Sequence, residues 1–133
     1  MEEDKNGPPK FATAINCMDG RVQEPVINHM KKEYGVDYVD MITAPGPIGA
    51  LALASDTAFV QTIRQRAEIS SRIHGSKECA VVGHFDCAGN PVDKRTQTGQ
   101  IKATIKLVES WNAGFDAIIG LWVDENGTVS RIA

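Results

Sequence analysis

The segment "AINCMDGRV" (residues 14–22) ends an apolar run on Cys17 and then places Asp19 and Arg21 two positions apart. A second segment, "GHFDC", ends another apolar run on His84 with Cys87 three residues later. Two sulfurs and one imidazole are preferred zinc ligands. Three protein ligands with a fourth position left open is the pattern of a catalytic site. Cys17, His84 and Cys87 are therefore the predicted ligands of a Zn2+ ion. Two apart on an extended segment, the Asp19 and Arg21 side chains point to the same side and can pair through the planar guanidinium fork, which would fix the carboxylate; a solvated turn pair is the alternative. The third cysteine, Cys79, lies inside the second apolar run and reads as a small core residue.

The elements that must position these groups follow from periodicity and punctuation. The chain has 133 residues, 42% of them hydrophobic and 23% charged, with a net charge of -3. That size and balance fit a single soluble domain and give no reason to expect nucleic acid or an anionic membrane as partner. No apolar run approaches a transmembrane length. The segment "MEEDKNGPPK" lacks the apolar centre of a signal peptide, so the expected location is cytoplasmic. Three cysteines in such a chain argue against a disulfide framework.

Residues 1–10 read as a flexible lead-in and residues 11–133 as one domain. Residues 11–17 read as a strand. Val22, Val26, Met30 and Tyr34 mark a helix closed by Gly35, with Pro25 tolerable only in its first turn. Residues 36–43 read as a strand, "APGPIGA" (44–50) as a loop, and Phe59, Ile63 and Ala67 as one face of a helix that follows Ser55. Residues 77–84 form a third predicted strand, and "FDCAGNPVDKRTQTG" (85–99) a long polar loop. Ile101, Ile105 and Val108 mark a helix to about Asn112. Residues 115–123 form a central strand, and "TVSRIA" pairs back after the "ENG" turn. The fold class is thus α/β: a mostly parallel central sheet of four strands plus an antiparallel edge strand, with helices on both faces. In such folds ligands bind beyond the carboxyl ends of strands, where Cys17 and His84 stand.

"CMDGR" followed by "GHFDC" resembles the Cys-x-Asp-x-Arg and His-x-x-Cys signatures of the β-class carbonic anhydrases, over roughly residues 11–123. The resemblance implies zinc on Cys17, His84 and Cys87, with Asp19 holding a metal-bound hydroxide and Arg21 holding Asp19. It implies a lyase that reversibly hydrates carbon dioxide to bicarbonate, built as a homodimer or larger homo-oligomer. Departures from the usual family pattern are "TAPGPIGA" after the second strand, Ala88 where many members carry glycine, the short chain, and a lead-in expected to be too brief for the family's N-terminal helical arm. They keep open a sulfur substrate, carbonyl sulfide or carbon disulfide, on the same metal. A zinc-binding domain without turnover is a further alternative. A nucleotide-binding domain ranks last, because no Gly-x-Gly-x-x-Gly or phosphate-loop pattern follows a strand. His29 reads as an exposed helix residue, His74 as a residue near a helix C-terminus, and Asp86 as a loop residue.

Overall fold

The computed structural model describes residues 7–133. Residues 1–6 of the expected lead-in lie outside the described residues. At Lys10 the chain is already tied down: its carbonyl accepts from the amides of Asp37 and Tyr38, and its amide donates to Asp37 Oδ2 at 2.8 Å.

Strand β1 (Phe11–Cys17) is followed by a short 3-10 turn at Gly20–Val22 and helix α1 (Gln23–Tyr34). Pro25 lies in the first turn of α1, where the missing N–H costs no helix bond. Gly35 closes α1 in the left-handed conformation, donating its amide to Lys31 O at 2.9 Å. Next come β2 (Tyr38–Ala44), α2 (Pro47–Leu53), α3 (Thr57–Arg72), β3 (Glu78–His84), α4 (Lys94–Ser110), β4 (Ala117–Val123) and β5 (Val129–Arg131).

Two expectations need correcting. "APGPIGA" is not a continuous loop, because α2 begins at Pro47 with proline in the first turn and Gly46 in the left-handed region at φ 44. The predicted polar loop ends at Asp93, whose carboxylate accepts from Thr96 N at 2.8 Å and caps α4. Residues 94–99 are therefore helical, and their polar character reflects a solvated first turn.

The strand order is β2-β1-β3-β4-β5, parallel except for β5, which pairs antiparallel with β4. The chain steps from β1 outward to β2 and then returns past β1 to β3. Right-handed crossovers in opposite directions put their helices on opposite faces. Val22, Val26 and Met30 accordingly pack one face against Ala12, Ala80, Val82 and Leu121. The other face carries α2, α3 and α4, through Ile48, Leu51, Ile63 and Ile101 on Ile15, Ile42 and Val81. No helix among the described residues is long and apolar enough to cross a membrane.

The reversal leaves a crevice. β1 pairs with β2 along its whole length, from Phe11–Tyr38 to Cys17–Ala44. With β3 it pairs only from Thr13–Cys79 to Ile15–Val81. Beyond that point the carboxyl ends of β1 and β3 have no ladder between them, at the switch point where open α/β sheets bind ligands.

Candidate metal centre

Cys17 ends β1 and His84 ends β3, on the two sides of that crevice, and Cys87 follows in the loop after β3. One ligand atom from each lies within 4.8 Å of the others, and all three residues are buried. The two Sγ atoms are 3.9 Å apart.

The polar accounting around them is unusual. His84 is 1% exposed. Neither of its ring nitrogens has a hydrogen-bond partner; the only other buried side-chain atom of that kind among the described residues is Thr104 Oγ1. Burial holds the imidazole below its ordinary pKa, so its neutral form, the metal-binding form, is favoured. Burial and the neighbouring Cys17 sulfur push the Cys87 thiol up. Buried polar groups left unpaired are costly. A cation seated between two sulfurs and an imidazole nitrogen would relieve that cost, so the donor set fits zinc in chemistry and in spacing.

Backbone and amide groups fix Cys17. Its amide donates to Asn16 Oδ1 at 2.9 Å, and Asn16 Nδ2 donates to Val22 O at 3.0 Å, so a fully buried amide clamps the strand end to the next turn. Gly46 N donates to Cys17 Sγ at 3.4 Å, which holds the sulfur in place. Gly46 is needed there: a Cβ on it would lie 2.5 Å from Asn90 Cβ. Cys79 is fully buried in β3, as expected of a core residue, and burial pushes its thiol up to about 12.

Asp19 and Arg21 meet on a turn rather than on extended chain. Asp19 Oδ1 caps the 3-10 turn by accepting from Arg21 N at 2.9 Å. The guanidinium then closes on the same carboxylate, Nη2 on Oδ2 at 2.7 Å and Nε on Oδ1 at 3.1 Å. Hydrogen bonds from the Arg21 side chain and amide hold the Asp19 carboxyl down at about 2, against an ordinary 3.8. Arg21 also reaches across the crevice, donating Nη2 to Asp86 O at 3.2 Å and lying 4.6 Å from the centre of the Phe85 ring. Asp86, read as a loop residue, is thus also a contact of Arg21, set at φ 47 on its loop. A cleft of about 480 Å3 reaches His84 past Phe85, Val92 and Trp122, with Lys94 Nζ 5.4 Å from the Trp122 ring.

Sequence reading missed Asn16, Gln97 and the Gly46 amide: Asn16 is a single amide inside an apolar strand and Gln97 stands in a polar run, so neither gives a periodic signal. His29 is half-buried on α1 rather than exposed. His74 pairs through Nδ1 with Asp40 Oδ2 at 2.7 Å, far along the sheet from the cluster.

The α/β sheet thus carries at its switch point a Cys, His, Cys set that could hold a metal ion. The family model described as "Putative carbonic anhydrase" matches residues 7–133, and the chain belongs to that family. No curated protein sequence matches the chain. Among solved structures, it is similar to β-carbonic anhydrase isoform I of Trichomonas vaginalis, with 17% identity and TM-score 0.61, over 99% of this chain and 87% of that one. A carbonic anhydrase from Glaciozyma antarctica is 18% identical with TM-score 0.53, over 95% and 83%. The apo form of a carbon disulfide hydrolase is 16% identical with TM-score 0.57, over 93% and 79%. The fold is that of the β-carbonic anhydrases.

Proposed function

We propose that residues 11–133 act as one zinc-dependent carbonic anhydrase domain, a lyase that hydrates carbon dioxide reversibly to bicarbonate. The observation that carries the reading is the buried cluster of Cys17, His84 and Cys87 beside a fork-paired Asp19–Arg21. Cys17, His84 and Cys87 would hold the metal, which when bound lowers the pKa of water so that hydroxide is available near neutral pH. Asp19, ionised well below neutral pH, serves as the acceptor that orients the reacting water. Arg21 occupies both carboxylate oxygens of Asp19 and so keeps that side chain from becoming a fourth ligand. Phe85, Val92 and Trp122 give the cleft an apolar side for a small apolar substrate, while Asp86, Asp93, Lys94, Asp124 and Glu125 make most of the rest of its lining charged.

The test is stopped-flow carbon dioxide hydration on protein of measured zinc content. Turnover proportional to zinc supports the reading; fully loaded protein without turnover would overturn it. A second reading keeps the same residues and takes carbonyl sulfide or carbon disulfide. It is supported by the similarity in fold to a carbon disulfide hydrolase, and sulfide release by the zinc-loaded protein would select it.

We also propose that the chain works as a homodimer or larger homo-oligomer in the cytoplasm. Leu53 (78% exposed) at the end of α2, Ile69 on α3 and Ile73 (75%) just past the end of α3 leave apolar surface uncovered. Light scattering at micromolar concentration would give at least twice the chain mass; a monomer would contradict it.

A further inference from the structure

A histidine that binds a metal normally has its second ring nitrogen anchored by a carboxylate, a carbonyl or water, which sets the ring's direction. Among the described residues no side chain anchors His84: neither nitrogen has a partner at hydrogen-bonding geometry, and the main chain of the adjacent Phe85 acts on the ring only to raise its pKa against the larger effect of burial. Its backbone is held instead. His84 N donates to Gln97 Oε1 at 3.1 Å, and Gln97 Nε2 donates to His84 O at 2.8 Å. One amide side chain thus meets both backbone groups of the residue, as a neighbouring strand would. β1 makes no ladder there, because its pairing with β3 ends at Ile15–Val81.

The rest of the local structure serves that clamp. Gln97 is 1% exposed and stands in the first turns of α4, whose start is fixed by the Asp93 cap. The same Nε2 lies 3.4 Å from Val92 O, which ties down the far end of the loop that carries Cys87. Gly83 leaves the space: a Cβ on it would lie 2.9 Å from Gln97 Oε1 and 3.0 Å from Ile101 Cδ1.

We infer that Gln97 is the positioning residue of the metal centre, aiming His84 at Cys17 and Cys87 through the main chain instead of through the ring. The inference rests on the reading that these three residues hold zinc. A buried amide on a rigid helix loses little further freedom when a ligand arrives, so the His84 main chain, and with it the Cα–Cβ direction from which the ring projects, is set before metal binds.

The experiment compares Gln97→Met with wild type and with Val108→Ala, which weakens the packing of the same helix away from the site. Zinc release to a chelator and the visible absorption of cobalt-loaded protein are read for each. Gln97→Met is expected to release zinc about tenfold faster or more and to shift the cobalt bands. Val108→Ala is expected to do neither. If Gln97→Met fails to fold, Gln97→Glu keeps the acceptor for His84 N and loses the donor to His84 O, and an intermediate effect is expected. Wild-type release and wild-type bands in the Gln97 variant that folds would overturn the inference. So would equal changes in Val108→Ala. Wild-type protein that binds no metal would instead sink the metal reading, and zinc-loaded protein inactive on carbon dioxide would leave the Gln97 inference standing.

Discussion

Two histidines at different levels of the sheet show what separates a site from structural glue. Toward the amino ends of the strands, His74 stacks on Phe11 at 4.2 Å and pairs with Asp40, which also accepts from Ser70 Oγ at 2.7 Å. The Ser70 hydroxyl meets Thr13 Oγ1, and Thr13 donates in turn to Ser76 at 2.7 Å. Those hydroxyls are buried and all have partners. At the carboxyl ends, His84 is more deeply buried, has no partner on either nitrogen, and faces two thiols. A satisfied network holds elements together; an unsatisfied set of soft donors gathered at one point could hold a metal ion.

The sharpest way to break this comparison is Cys87→Ala. The expected outcome is loss of zinc retention through dialysis, since one donor and the negative charge of its thiolate are gone; full occupancy by metal analysis would refute the assignment.

Arg21→Ala comes next. Zinc should stay bound, while hydration turnover falls by about 100-fold or more. The same variant should lift the Asp19 titration, followed by carboxyl NMR, from about 2 back toward the ordinary carboxylate range. The sign follows from the depressed value. The Asp19–Arg21 pair contributes stability above pH 3.8, and that contribution is lost as pH falls through about 2. Arg21→Ala should therefore flatten the acid limb of the stability profile.

The smallest effect is expected at the other end of the sheet. Asp40→Ala unpairs His74 and one bond of Ser70, and should cost about 1–2 kcal/mol in denaturant unfolding. Zinc content and turnover should not change; a loss of metal would erase the distinction between the two regions.

The sequence made much of this legible because the strand ends carry the chemistry. The apolar runs that stop on Cys17 and on His84 announced both the sheet and the edge where its ligands gather. Helix α2 was hidden because Gly46 and Pro47 look like loop punctuation, although proline in a first helical turn is itself a start signal. The start of α4 was hidden because "KRTQTG" has no apolar rhythm. Asp93 and the amide of Thr96 mark the cap only once their geometry is known. Gln97 escaped for the same reason: within a polar run, nothing distinguishes the one amide that turns inward to His84. The Asp19–Arg21 pair was expected on extended chain, and the 3-10 turn supplies the geometry instead.

The measurement that reaches the central claim most directly is zinc-edge X-ray absorption on zinc-loaded protein. The account predicts two sulfurs at about 2.3 Å and one imidazole nitrogen at about 2.0 Å. It also predicts loss of one sulfur from the first shell when any zinc is forced onto Cys87→Ala. A shell without sulfur, or one unchanged by that substitution, would contradict it.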